Sequence, residues 1–382
     1  MLFAGTFTYL KTVSNGGNVT SSSGFDIVFT SDAGCTTVLP FEIDNYDGSS
    51  GAVAFWVQIA SLSHTVDTVI YLCYDNSAVT TSQENAATVW SSYAGVWHAN
   101  AVGGVTALVD STGANSMPGA GSGTITEVTG QIGKAFSYPG SPINSKSSPT
   151  GLPSGNGART LSLWFKMAGT SGGSYALFGW GAFATGQRWQ PYYNSNRLIQ
   201  DIGGNEVLFN WTFDTNWHYL ATTLPASGNL NQALMYLDGS AQTLTLETAT
   251  VNTTNSSVQA AQLVGSSGTF LLNGILDEIR VSSSVRPADW IATEYNNQNS
   301  PSTFYTISGA SGSATGGNGC VFVICWKSAT GRIASKGSHA GFRNRRRNAA
   351  GRMLKASELS QRLLGFGKEM FLRREQLSQF IL

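Results

Sequence analysis

The chain has 382 residues with 22 basic and 22 acidic side chains, and only 12% of its positions are charged, against roughly 25% in an ordinary globular domain. Its 44 glycines, long Ser/Thr/Asn stretches, 19 Phe, 13 Tyr and 10 Trp suit many short strands joined by tight turns. That mixture excludes a coiled coil, a helical repeat array or a charged disordered chain.

No apolar run approaches the roughly 20 residues that span a bilayer, so no transmembrane segment is expected; the longest, 320–326, has seven residues. The amino terminus, Met1-Leu2-Phe3-Ala4-Gly5-Thr6, has neither a basic region nor a long apolar stretch and does not read as a secretory leader. The zero net charge hides a split. Residues 1–326 hold 9 basic and 19 acidic side chains, and residues 327–382 hold 13 and 3. An acidic body and a basic end are therefore expected.

In chain order, 25–30 alternates apolar and polar residues and stops at Asp32-Ala33-Gly34. Leu39, Phe41 and Ile43 then alternate with Pro40, Glu42 and Asp44 before Asp47-Gly48, while 52–59 and 68–74 are apolar on nearly every residue and predict strands covered on both faces. In 160–167, Leu161, Leu163 and Phe165 share one face of a strand; 217–221 is another. The run 234–237, Asp238-Gly239 and 241–244 predicts a hairpin with a type I′ turn. Segments 270–275 and 279–281 close the strand series, and 287–295 is the one helical pattern of the body. So many strands exceed one core and predict two sandwiches. A small-residue linker follows at 307–319. Beyond it lie the basic cluster 343–347 and a weak helical spacing of Leu359, Leu363, Phe366 and Met370, read as a disordered or weakly helical tail. Cys35, Cys73, Cys320 and Cys325 show no zinc-like spacing, and a Cys35–Cys73 disulfide stays open against free buried thiols.

Seven landmarks then occur in order. They are Gly95-Val96-Trp97-His98, the loop 110–115, Gly130-Gln131-Ile132-Gly133-Lys134-Ala135-Phe136, the strand around Trp164, Asp214 to Tyr219, Tyr236-Leu237-Asp238-Gly239, and Asn273-Gly274-Ile275-Leu276-Asp277-Glu278-Ile279-Arg280-Val281. This series resembles the LamG-type jelly roll of the concanavalin A-like lectin/glucanase superfamily over about 91–306. Residues 1–90, through the pieces 24–30, 39–44, 54–57 and 67–72, resemble the uncharacterised bacterial domain that commonly precedes such jelly rolls. A strand that usually comes before the piece 6–10 is missing, so the chain reads as a fragment beginning inside that module. The expected class is all-β: an antiparallel sandwich (jelly roll) at 91–306, a smaller N-terminal β-domain at 1–90, and a linker with a basic tail at 307–382.

Four groups of residues offer chemistry. Glu42-Ile43-Asp44-Asn45-Tyr46-Asp47 resembles the Glu-x-Asp-x-x-Glu strand of retaining glucanases, whose carboxyls sit about 5–5.5 Å apart. Asp47 replaces the acid/base Glu, however, and alternation makes these acids the wet side of a half-exposed strand. The resemblance implies a structural Ca²⁺ on Asp277, with Asp110 serving in the same way, because hard cations gather carboxylate and carbonyl oxygens. Trp180, Trp189, Tyr192 and Tyr193, interleaved with Arg188, would stack on a pyranose and hydrogen-bond its hydroxyls, although strand aromatics of a jelly roll also fill the core. His98 and His218 each follow a Trp and lack any nucleophile or HExxH context, so both read as structural. No phosphate-cradling motif is found, and an acidic body offers no nucleic-acid surface.

The expected function is a non-catalytic carbohydrate-binding or adhesion module of a larger bacterial or phage protein, outside the cell or on its surface. Its partners would be a glycan or cell-surface polysaccharide and the other domains of the parent protein, with Ca²⁺ as the one cofactor implied. A glycoside hydrolase of the glucanase branch and a structural spacer are the alternatives.

Overall fold

The computed structural model describes residues 1–308 except His64, Val102, Gly103 and Ser267, together with the backbone of 321–326. The run 309–319, the basic cluster 343–347 and the spacing at 359–370 lie outside the described residues. The fold is all-β, as expected, and among the described residues no helix is long and apolar enough to cross a membrane.

The smaller module is two facing sheets. One has three antiparallel strands in the order Leu2–Thr6, Ala52–Val57, Phe41–Asp47. The other orders Val28–Thr30, Thr68–Cys73, Val321–Trp326 and Tyr305–Ser308. Rings from both sheets interlock: Phe29 lies 5.4 Å from Phe55 and 5.8 Å from Phe41, and Phe3 lies 5.1 Å from Tyr305. Such pairs add to the area the rings bury. Cys35 and Cys73 form a disulfide, which resolves the pairing left open by spacing. The sheet also takes two strands from beyond the jelly roll. A six-residue apolar run is too short to cross a bilayer but is the usual length of a strand, and Val321–Trp326 fills the place between Thr68–Cys73 and Tyr305–Ser308.

The larger module is a sandwich of two eight-stranded antiparallel sheets. Arg159–Met167 pairs with Trp217–Leu224 on one side and Asn273–Ser282 on the other. Its alternation behaves as expected, since Leu161, Leu163 and Phe165 enter the core between the sheets. Trp164 points the other way and is sealed by the helix Ala288–Asn299, stacking 5.7 Å from Tyr295 and donating its indole N–H to Gln298. Asp238 and Gly239 have φ of 50° and 76°, the two positive angles that a type I′ hairpin requires.

That turn also holds a charge pair. His218 Nδ1 lies 2.8 Å from Asp238 Oδ2, and Nε2 lies 3.0 Å from Asp214 Oδ1. Partial burial lowers the imidazole pKa, but hydrogen bonds to Asp238 and Asp214 and their charges outweigh it and leave the group raised. A raised folded-state value gives stability that is complete below about pH 6.5, the unfolded value, and lost as pH climbs through the folded one. Melting midpoints of wild type and His218→Gln, followed from pH 5.5 to 9, are therefore expected to converge at the alkaline end. A gap that widens there would contradict this account.

The helix Ala288–Asn299 also ties the modules together. Asn297 brackets the backbone of Leu2, accepting from its N–H at 2.8 Å and donating to its carbonyl at 3.2 Å. Leu2, Ala54, Trp56, Trp90, Val96 and Ile132 form an apolar cluster between the modules.

Candidate functional site

Beside that apolar cluster lies a buried layer of charge, built by two irregular strands. In Phe41–Asp47 the register slips between Ile43 and Asn45, so Asp44 is an extra residue and Glu42 and Asp44 both turn toward the larger module. In Asn273–Ser282 the register slips opposite Leu163, and Glu278 takes a φ of 50°. Leu276, Ile279 and Val281 enter the core, which leaves Asp277, Glu278 and Arg280 together on the outer face. Strict period-two alternation would have sent Glu278 inward with Leu276. A positive φ on a non-glycine residue costs about 1–3 kcal/mol and is found where the surroundings impose it.

His98 joins the two strands. Its Nδ1 lies 2.8 Å from Glu278 Oε1 and its Nε2 3.2 Å from Glu42 Oε2. Glu42 also accepts from Ser111 Oγ at 2.6 Å and from the Trp90 indole. Arg280 donates to Glu278 Oε2 at 2.5 Å and to Glu294 Oε1 at 2.6 Å, with its guanidinium 4.0 Å from the Trp56 ring and 4.8 Å from Trp90. Asn100 donates to Asp44 Oδ1 at 3.2 Å. Asp44 Oδ2 and Asp277 Oδ1 are buried with no donor facing them.

These contacts set the protonation states. Burial pushes Glu42 up, but His98 and the hydrogen bonds from His98, Ser111 and Trp90 bring it below its ordinary value. Burial likewise opposes ionisation of Glu278, yet the charges of His98 and Arg280 hold it at about 2. His98 is raised well above the usual imidazole value because the surrounding carboxylates outweigh its desolvation. Desolvation and then the Glu278 charge push Asp44 and Asp277 well up.

Next to this layer a cleft of about 500 Å³ opens at the surface. Small residues line it: Ser91, Ser92 and Ala94 from the inter-module segment, Thr112 and Thr150, and Ser283 and Ser284 after the last sandwich strand. Its aromatic wall, Tyr93, packs edge-on against Trp90, 5.3 Å away. Arg286 lies between two rings at the rim, 4.8 Å from Tyr93 and 4.4 Å from Trp290. Ser92 and Ser282 hold the Arg286 guanidinium, and Trp290 remains 44% exposed.

Residues 23–98 match the sequence profile of a domain of unknown function, DUF2341. Glu42, Asp44 and His98 all fall inside that match. No curated protein matches the chain. Among solved structures, the chain is similar to the binding domain of botulinum neurotoxin serotype D/C, at 12% identity and a TM-score of 0.41 over 56% of this chain and 53% of that one. It is also similar to a structure of botulinum neurotoxin type C, whose cell entry depends on interaction with two ganglioside molecules (12%, 0.42, 56% and 53%). A third is the serotype G binding domain (14%, 0.42, 55% and 51%). The chain spans about half the length of the solved chains it matches.

The residues expected to bind sugar lie elsewhere, and they are buried. Trp180, Trp189 and Tyr193 are fully enclosed between the sheets. Trp180 donates to Pro153 O at 2.7 Å and Trp189 to Thr222 Oγ1 at 3.1 Å. Tyr192 packs on Phe270 and donates to Glu206, while Arg188 is ion-paired with Asp201. None of the four rings offers a free face, because large aromatics are what fill the gap between two stacked sheets. Asp110 does not fit as a cation ligand. Its carboxylate already accepts from the N–H groups of Val96, Thr112 and Asn115 and from the Thr112 hydroxyl. Those four donors leave it little lone-pair capacity. Asp277 accepts from Ile132 N–H at 3.0 Å and keeps one bare oxygen, far short of the six to eight that Ca²⁺ requires.

Glu42 and Asp44 are not the wet side of a strand, because the larger module covers them, and Asp47 is spent on its own turn with Ser49 and Ser50. None of these three acids lines that cleft. His98 and His218 are both held by carboxylate pairs. Sequence reasoning missed the cleft; the signal it left was the run Ser91-Ser92-Tyr93-Ala94 between the two modules.

Proposed function

We propose that the chain is a non-catalytic saccharide-binding module, built on a LamG-type jelly roll and displayed outside the cytoplasm as part of a larger protein. The Ser/Thr-lined cleft at Tyr93 carries this reading. Its volume falls in the usual range for small-ligand sites, and a wall of Ser and Thr hydroxyls with an aromatic edge complements a polyhydroxylated ring with an apolar C–H face. Trp290 lies nearby, stacked on the Arg286 side chain that also covers Tyr93, and is partly exposed. The Cys35–Cys73 disulfide supports the location, since such bonds persist in oxidising compartments.

A glycan array probed with the purified protein is expected to give a restricted set of hits. Trp290→Ala and Tyr93→Ala should each weaken those hits about 10-fold, the effect of losing roughly 1.4 kcal/mol, while Trp290→Ala leaves the melting midpoint unchanged. An array with no hits would leave a structural spacer as the better account.

A further inference from the structure

The buried layer between the modules contains three side chains whose donor atoms converge. One nitrogen of His98 and one carboxylate oxygen each of Asp44 and Glu278 lie within 4.8 Å of one another, all three residues being buried. Asp44 is only 7% exposed, and its Oδ2 has no hydrogen-bond donor. Two carboxylates that face each other out of water need a cation or a proton between them.

We propose that Asp44, His98 and Glu278 bind a divalent first-row ion of the zinc type, which joins the two modules. Every ligand is already oriented by an outer partner. Glu42 holds His98 Nε2 and leaves Nδ1 directed at Glu278, Arg280 holds Glu278 Oε2, and Asn100 holds Asp44 Oδ1. In His98 and Glu278 one atom is tied back and the other faces the cluster, and in Asp44 one oxygen is held while the other is left without a donor, which is how metal-ligating histidines and carboxylates are fixed by their surroundings. Glu42 is fixed in its turn by Ser111 and Trp90. Zinc bonds of about 2.0–2.2 Å hold neighbouring ligands roughly 3.3 Å apart, so small side-chain rotations close the site. One imidazole and two carboxylates, with a fourth position for water, suit zinc or manganese; calcium would need several more oxygens. Asp44 comes from the smaller module, whereas Glu278 and the strand that leads into His98 belong to the jelly roll, so the ion would bridge the two.

The test uses the whole chain, stripped with EDTA and dialysed, then titrated with ZnCl₂, MnCl₂ or CaCl₂ alone. One equivalent of zinc or manganese is expected to bind and raise the melting midpoint by about 5 °C at saturation, while calcium leaves it unchanged. Asp44→Asn and His98→Gln, both close in shape to the native residues, should each weaken uptake at least about 10-fold. Visible absorption of a Co²⁺-loaded sample reports the mixed nitrogen and oxygen ligands directly and needs no variant. Absence of saturable uptake by the wild type, or uptake equal in both folded variants, overturns the proposal and leaves a proton shared between Asp44 and Glu278.

Discussion

Replacing Arg280 by methionine is expected to lower stability by about 3–5 kcal/mol, the range found when one partner of a buried ion pair is removed. The guanidinium is 3% exposed and answers two carboxylates, Glu278 and Glu294, from between the rings of Trp56 and Trp90. Methionine fills much of the same volume and keeps contact with both indoles, so the loss is one of charge rather than packing. It leaves Glu278 with His98, and Glu294 without its guanidinium partner. Lysine is no substitute, because an ammonium cannot present the same fork to both acids. Denaturant unfolding followed by tryptophan fluorescence reads the effect, since Trp56 and Trp90 report the seam itself. A variant that unfolds at the wild-type midpoint would show that the charge layer does not hold the modules together.

Trp189→Ala is expected to cost a similar amount, about 3–5 kcal/mol, by emptying the middle of the jelly roll. The indole is wholly buried, donates to Thr222, and carries the Arg159 guanidinium at 5.2 Å from its ring centroid. Arg159 is itself fully buried, so the cavity would expose a charged group to a void and remove a hydrogen bond together with the ring. Trp189→Phe restores most of the apolar volume and should recover most of the stability. The pair of variants separates two roles that strand aromatics can play. A binding platform would lose ligand at constant stability, whereas a core ring loses stability first. Equal melting midpoints for wild type and Trp189→Ala would overturn the core assignment.

Where local pattern decides the structure, it was legible in the sequence. Leu161, Leu163 and Phe165 share the inner face because strand side chains alternate, and Asp238-Gly239 turns because both residues adopt positive φ. The helical pattern at 287–295 became the helix Ala288–Asn299. Where two distant segments must meet, local pattern falls silent. Alternation says that Glu42 and Asp44 share a face but cannot say what meets it; here His98, Ser111 and Asn100 do, in the same buried layer as Asp277, Glu278 and Arg280. The last three reach one face only through a bulge that breaks the period, and no residue type marks it in the sequence. The aromatic cluster around Trp189 misled for a related reason: a ring that stacks on a sugar and a ring that fills a core are the same residue. The strand Val321–Trp326 was hidden by its position after a run of small residues, beyond the apparent end of the second module.

The smaller sheet has a consequence for how the chain is made. Its strand Thr68–Cys73 leaves the ribosome early, but its neighbour Val321–Trp326 follows only after the entire jelly roll. Through that interval the nascent polypeptide carries an open strand edge, the kind of surface that recruits unwanted partners. The jelly roll, whose strands all lie within the intervening stretch, is fully synthesised before that edge can be covered. A chain released before residue 321 would thus keep an intact jelly roll attached to a sticky, half-finished companion.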